Sequence, residues 1–267
     1  MWWEWKMAEV VVVENERAAG ALIAASIRDL IVHKPDAVLG LATGSTPVPV
    51  YRALAESFAA DPLDVSRVRG FALDEYVGLP AGHPESYRAV ITRDVVEPLG
   101  LTAANIHVPN GDLATIATAG DDYERAITDA GGVDVQILGI GRTGHLGFNE
   151  PGSSFASTTR IKTLTEKTRE DNARFFDSPD EVPMHCITQG LGTILRAKHL
   201  VLLAFGEAKA HAIAEAVEGA LSASQPGTAI QLHPRVTVVV DEAAASQLAN
   251  LPYYTYAWAH KPAWQGI

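Results

Sequence analysis

Val38-Leu39-Gly40-Leu41-Ala42, followed at once by Thr43-Gly44-Ser45-Thr46-Pro47, is the stretch on which the fold turns. Five apolar residues in a row do not alternate, as a strand with one wet face would; they suit a strand covered on both sides. The glycine and hydroxyl residues behind them suit a strand-to-helix turn, and Pro47 suits the first turn of the helix that follows. That helix presents Tyr51, Leu54 and Phe58 at helical spacing. Outward from this unit the pattern repeats. Residues 10–13 read as a short β-branched strand, and Asn15 caps a helix with the apolar face Leu22, Ile23, Ile27, Leu30 and Ile31. Gly70–Leu73, Val133–Leu138, Leu200–Phe205 and Val236–Val240 read as further buried strands, with helices such as Asp121–Ala130 and Ala208–Val217 between them. Apolar strands separated by helices predict a parallel sheet with helices on both faces, in a single α/β domain spanning residues 1–267. Pro151–Ser157 reads as a Gly/Ser-rich loop and Ser222–Thr228 as a surface loop.

Composition narrows the functions. Of 267 residues, 47% are hydrophobic and 20% charged, which excludes a disordered chain. Lys and Arg number 21 against 32 Asp and Glu, a net charge of −11. So acidic a protein has no general attraction for nucleic acid or anionic membranes, which leaves a local basic pocket for one small anion. Cys186 is the sole cysteine, so neither an intrachain disulfide nor a CxxC metal knuckle can form, and a packed thiol in a reducing, cytoplasmic setting is expected. Near the start, the apolar run Val10–Val13 is too short for a signal-peptide core or a membrane span. Residues 1–6, with three tryptophans, are expected to lie outside the fold, and Met7 is an alternative start.

In open α/β sheets ligands sit beyond the carboxyl ends of the strands. Those ends read Thr43–Pro47, Asp74-Glu75-Tyr76, Gly139-Ile140-Gly141-Arg142-Thr143-Gly144-His145, Gly206-Glu207-Ala208-Lys209 and Asp241-Glu242. The first resembles an anion cradle, in which backbone N–H groups and a helix N-terminus meet a phosphate. It lacks the lysine of a Walker loop. Gly139-x-Gly141-x-x-Gly144 matches a dinucleotide fingerprint, yet Gly147 and Pro151 fall where the fingerprint needs an uninterrupted helix, which argues against a nicotinamide site.

With these ends in view, the chain resembles the glucosamine-6-phosphate deaminases (glucosamine-6-phosphate isomerases). The matching segments are LGLATGSTPVPVYRAL (39–54), FALDEYVGLP (71–80), HPESYR (83–88), LGIGRTGHLGFNEPGSSFASTTRIKTLT (138–165), DNARFF (171–176), ITQGLGTILRAKHLVLLAFGEAKA (187–210) and QLHP (231–234). The resemblance implies a modified doubly wound, Rossmann-like sheet. It also implies conversion of glucosamine 6-phosphate and water to fructose 6-phosphate and ammonia, without an organic cofactor or catalytic metal. By the same resemblance Asp74 shuttles a proton between C2 and C1, His145 opens the sugar ring with Glu150 as its carboxylate partner, and Gly44, Ser45, Thr46, Arg174 and Lys209 hold the phosphate. The chemistry agrees: moving a proton off a carbon beside a carbonyl needs a base, and an Asp at ~3.9 becomes one when burial beside Glu75 raises it. A histidine suits proton exchange with a ring oxygen near neutral pH.

Thr143 departs from the family, many of whose members carry Asp there. The change bears on ring opening and on the choice between glucosamine and galactosamine 6-phosphate. Ser153, Arg160, Lys162 and Thr163 match the effector-phosphate residues of family members that are hexameric and activated by N-acetylglucosamine 6-phosphate, so a homo-oligomer is among the expectations. The amino terminus and the residues from Tyr253 onward do not match. Rival readings are a 6-phosphogluconolactonase-like hydrolase, a non-catalytic sugar-phosphate-sensing domain and a nicotinamide dehydrogenase. Taken singly, each residue also has a plainer reading: Asp74-Glu75 as a solvated loop start, Lys209 as a helix-face lysine, and Arg160-Ile161-Lys162 as an exposed basic edge.

Overall fold

In chain order the strands are β1 (Met7–Val13), β2 (Val38–Leu41), β3 (Arg69–Ala72), β4 (Asp74–Tyr76), β5 (Ile106–His107), β6 (Val135–Gly139), β7 (Arg160–Thr163), β8 (His185–Thr188), β9 (Leu200–Ala204) and β10 (Arg235–Asp241). Seven of them form one sheet in the order β1-β10-β9-β6-β2-β3-β5, and every pairing in it is parallel. Every residue of β2 and of β9 is buried. Successive residues on a strand face opposite sides, so both faces of this sheet are covered. The structure, a computed structural model, describes residues 7–262 and 264–267. The expectation for residues 1–6 falls outside that range.

Local sequence explains the covering helices. The Asn15 side chain accepts from the Ala18 amide at 3.0 Å and starts helix α1 (Glu16–His33). Ala19, Ile23, Ile27 and Ile31 recur every fourth residue along its buried face. Helix α2 (Val48–Ala60) begins just after Pro47 and buries Val50, Tyr51 and Leu54, and the Tyr51 hydroxyl donates to the Ala42 carbonyl at the end of β2 (2.9 Å). Among the described residues, no helix is long and apolar enough to cross a membrane.

Two features of the topology place the site. From β2 the chain moves outward to β3 and β5, then returns to β6 on the other side of β2 and continues to β9 and β10. The winding reverses between β2 and β6, and the carboxyl ends of those two strands flank a crevice. The second feature was not anticipated. After Leu73 the chain leaves the main sheet, and Asp74–Tyr76 enters a small antiparallel sheet, β4-β8-β7. Leu73 joins the two sheets: its N–H donates to Leu41 O (3.0 Å) and its carbonyl accepts from Gln189 N (2.7 Å). The strands of the small sheet are three or four residues long and, in β7, polar at three of four positions, which hides them from any reading based on apolar runs.

One loop differs from its sequence reading. Ser222–Thr228 is not wholly on the surface, because Pro226, Gly227 and Thr228 are buried in a 3₁₀ segment, Pro226–Leu232. The Gly227 N–H donates to Gly144 O at 2.6 Å, which presses this segment against the loop after β6.

Candidate active site

Asp74 is 5% exposed, and its carboxylate accepts no hydrogen bond from any described residue. Burial, reinforced by the neighbouring Glu75 carboxylate, pushes it up to about 8. Glu75 has a different task. It accepts from the backbone amides of Tyr76 (2.8 Å), Tyr87 (2.9 Å) and Arg88 (3.0 Å), so it anchors the helix Tyr87–Ile91 to β4 and is spent on structure. The dipeptide therefore divides into an anchored acid and an unsatisfied one. Tyr76, Tyr87 and Phe148 pack as an aromatic wall beside it.

Opposite Asp74 lies the loop after β6. Gly147 (φ +55°) comes so close that a Cβ built there would stand 3.2 Å from Asp74 Oδ2 and 3.0 Å from Thr188 Oγ1. Two residues earlier, His145 Nδ1 lies 3.3 Å from Glu150 Oε2 and 3.0 Å from Thr143 Oγ1, and the Thr143 hydroxyl reaches the same Glu150 oxygen at 3.3 Å. Glu150 is buried. Burial alone would raise its carboxyl, but His145, Thr168 and Thr143 together hold it below the usual range. Its other oxygen accepts from the Thr168 hydroxyl, so the carboxylate is fixed from both ends. Asn149 braces the loop by donating to Leu146 O (2.9 Å) and Gln189 O (2.7 Å). Behind the imidazole stands Gly141, where a Cβ would fall within 2.1–2.4 Å of three ring atoms.

The residues read from the sequence as an anion cradle come together at the same crevice. Gly44 (φ +87°) and Ser45 are exposed after β2, and nothing stands within 4 Å of a Cβ built at Gly44. Thr46 faces Gly139 at the end of β6 (3.9 Å from a built Cβ). Lys209 Nζ donates to Ile140 O at 2.7 Å. Burial, and then the charges of Arg142 and Arg174, hold its ammonium below the usual lysine range, with Asp171 opposing. Arg174 lies on the 3₁₀ turn Ala173–Phe175 with its guanidinium 4.7 Å from the Phe175 ring centroid. Arg142 is therefore a cation of this group that the sequence reading left out. Asn149 and Thr168 carry no signal in the sequence either, and Glu75 and Gly141, named for other reasons, show what they hold only in the contact geometry.

The four residues matched to an effector site sit in different settings. Ser153 is buried and donates its hydroxyl to Glu150 O (2.7 Å). Arg160 and Lys162 project from one face of β7, whereas alternation puts Thr163 on the other. Cys186 is a fully buried thiol opposite Lys162. Asp241 caps the helix Glu242–Ala245 and accepts from Gly206 N, a structural use. No helix follows the Gly139–Gly144 fingerprint before Glu166, so it lacks the helix N-terminus that would meet a pyrophosphate. Among the described residues, no group of three or more His, Cys, Asp or Glu is placed to hold a metal ion.

A buried carboxylate to which no described residue donates a hydrogen bond, an imidazole–carboxylate pair and a cluster of cations at a topological switch point suit an enzyme that moves protons on a small anionic substrate. Comparison with known proteins agrees. The family model for glucosamine-6-phosphate isomerases/6-phosphogluconolactonase matches residues 13–239, and the chain belongs to that family. It is 61% identical to a glucosamine-6-phosphate deaminase of Bifidobacterium longum subsp. infantis over 98% of this chain and 100% of that protein. With one of Streptomyces coelicolor it shares 57% identity over 97% of this chain and 100% of that protein. Among solved structures, a monomeric glucosamine-6-phosphate deaminase superposes with a TM-score of 0.87 at 39% identity, covering 90% of this chain and 99% of that one. A 6-phosphogluconolactonase from Trypanosoma brucei, at 17% identity and a TM-score of 0.74, shares the fold alone.

Proposed function

We propose that the protein converts glucosamine 6-phosphate and water to fructose 6-phosphate and ammonia, in a cytoplasmic pathway that consumes amino sugars. The observation that carries the reading is the buried Asp74 carboxylate, without a hydrogen bond from any described residue and raised to about 8, across a single glycine from the loop of His145 and Glu150. In the reaction His145 exchanges a proton with the ring oxygen and opens the sugar to its aldehyde. Asp74 then takes the proton from C2 while the substrate's own ammonium gives a proton to O1, leaving an enolamine, and Asp74 returns its proton to C1. The C2–nitrogen bond is now an iminium, to which water adds; ammonia leaves, and the C2 ketone remains. Glu150 supports the imidazolium that forms when His145 carries the proton. A lactonase needs an activated water and no base for a C–H proton, so Asp74 favours the deaminase over the hydrolase reading.

The test is ammonia release from glucosamine 6-phosphate and from galactosamine 6-phosphate, beside hydrolysis of 6-phosphogluconolactone. Lactone hydrolysis without ammonia would reverse the assignment. Repeating the assay with N-acetylglucosamine 6-phosphate and measuring mass in solution tests the remaining expectation. An oligomer whose substrate curve shifts would assign Ser153, Arg160, Lys162 and Thr163 to an effector site completed by a partner chain; an unshifted curve would remove them.

Lys209→Ala is expected to act mainly on KM, raising it roughly 10- to 100-fold, the size of a lost charge-assisted hydrogen bond. A phosphate far from C1 and C2 is gripped alike in ground and transition states, so kcat changes little. Steady-state kinetics of the variant, with inorganic phosphate as competitor of the wild type, checks this. Thr143→Val removes the hydroxyl between His145 and Glu150 and is expected to lower kcat by roughly 3- to 10-fold, the value of one hydrogen bond. Thr143→Ser, which keeps the hydroxyl, should retain wild-type turnover. Equal rates in the valine and serine variants would assign Thr143 no part in holding the pair.

A further inference from the structure

The turn that carries Thr143 also carries a cation for which no described residue supplies a partner. Gly141–Gly144 is a tight turn, closed by Gly144 N donating to Gly141 O (3.0 Å) and steadied by Gly141 N donating to His145 O (2.9 Å). Arg142 and Thr143 are its two corner residues. The hydroxyl of Thr143 faces the His145–Glu150 pair. Arg142 is exposed and makes no hydrogen bond or ion pair with any described residue. Its place in the chain is nonetheless fixed. Two residues before it, the Ile140 carbonyl holds the Lys209 ammonium, and one residue further back Gly139 abuts Thr46. The end of β6 is thus joined to both halves of the anion cradle, and Arg142 is the next charge along it.

We propose that Arg142 is a third phosphate-binding cation, beside Lys209 and Arg174, and that it sets the preference for phosphorylated over neutral amino sugars. The inference rests on the anion-cradle reading of the proposed function. Three cations gathered at one crevice repel one another, and in a protein of net charge −11 such a cluster is the exception. The Lys209 ammonium already bears the strain, being disfavoured by burial and then by the Arg142 charge, with Asp171 opposing in part and Arg174 adding a smaller repulsion. A phosphate dianion relieves it. A guanidinium offers that dianion two parallel N–H donors, while the Lys209 ammonium acts as a point charge. Because Arg142 and Thr143 share one turn, the residue gripping the phosphate is also built next to the group that holds the ring-opening pair.

The test pairs Arg142→Gln with Arg142→Lys in the full chain. Calorimetric titration with inorganic phosphate, and ammonia release from glucosamine 6-phosphate at several ionic strengths, are read for each. In Arg142→Gln, phosphate affinity should fall about tenfold, in line with one exposed charge-assisted contact. The KM should rise by a similar factor with kcat within about twofold, and its dependence on ionic strength should weaken. Arg142→Lys should recover part of the loss. If the wild type binds phosphate and Arg142→Gln binds it equally well, the Arg142 assignment falls and the cradle stands. If kcat drops while phosphate affinity holds, Arg142 serves the turn alone and the assignment is again overturned. If the wild type binds no phosphate, cradle and proposal fall together.

Discussion

Asp74→Asn is expected to lose roughly 10²- to 10⁴-fold in kcat, the usual scale of general-base catalysis, with KM changed by no more than a few fold. The amide keeps the shape of the carboxylate, and no described residue hydrogen-bonds to the group it replaces, so the local packing has little reason to shift. Only the base is lost. Near-normal kcat in this variant would remove Asp74 from the proton transfer. The same carboxylate predicts a pH dependence. Held at about 8 by burial and Glu75, it is mostly protonated in neutral solution, and in the proposed mechanism only its ionised form takes the C2 proton. For the free enzyme, kcat/KM should therefore climb with pH on a limb well above the ordinary carboxylate range. In Asp74→Asn that limb should vanish from whatever activity remains.

Stability should move the other way. Below its ordinary value of 3.8 the Asp74 carboxyl is protonated in both folded and unfolded chains and contributes no difference. Between that value and about 8 the unfolded chain releases the proton and the folded one retains it, so the folded state binds more protons and stability falls as pH rises. Asp74→Asn has no such loss. Its melting temperature should gain on that of the wild type as pH is raised from about 4 to about 8, by roughly 2–4 °C for each kcal/mol relieved. Parallel melting curves at both pH values would show that Asp74 ionises freely in the folded protein, and the argument for it as a raised base would lose its footing.

What the sequence discloses and what it conceals follow the same physics. The strands of the main sheet are legible because a strand buried on both faces must be apolar throughout, as Val38–Leu41 and Leu200–Ala204 are. The α1 start at Asn15 is legible because its cap uses a local side-chain hydrogen bond. The ends of such strands stand out as glycine-rich and polar against apolar runs, whereas Glu150 and Arg174, at no strand end, are legible only through the family resemblance. The small sheet was not legible, since Arg160–Thr163 is held by pairing with β8 and has half-exposed, alternating residues that resemble a loop. Nor could spacing separate Asp74 from Glu75. Their division of labour depends on three backbone amides, two of them supplied twelve and thirteen residues later by Tyr87 and Arg88. Arg142 stayed hidden for a related reason. A surface arginine in a glycine turn carries no signal until the lysine from the β9 end is seen bound to the carbonyl two residues before it.

Gly141→Ala should disable the ring-opening pair without unfolding the protein. Gly141 does not have a positive φ, so alanine adds no backbone strain, and the difficulty lies wholly in what its methyl group would meet. That is the His145 imidazole, with Nε2, Cε1 and Cδ2 between 2.1 and 2.4 Å from the added carbon. The ring is the far end of a side chain, part-exposed, and can rotate away at modest cost to the fold. Once it does, Nδ1 leaves Glu150 and Thr143, and the acid/base group no longer reaches a sugar seated between Asp74 and the cradle. A loss of roughly 10²- to 10⁴-fold in kcat is expected, comparable to removing the group outright. Gly139→Ala is the control. Two residues earlier, its methyl group would meet only the Thr46 Cβ at 3.9 Å, an ordinary contact, so kcat should hold. The fold is checked separately from the chemistry. A melting temperature and circular dichroism spectrum close to those of the wild type, beside the lost kcat, mark a displaced imidazole, whereas a misfolded variant would change all three. A Gly141→Ala enzyme with wild-type kcat would mean that His145 works from another position than the one it occupies against Gly141, and the assignment of ring opening to that geometry would have to be given up.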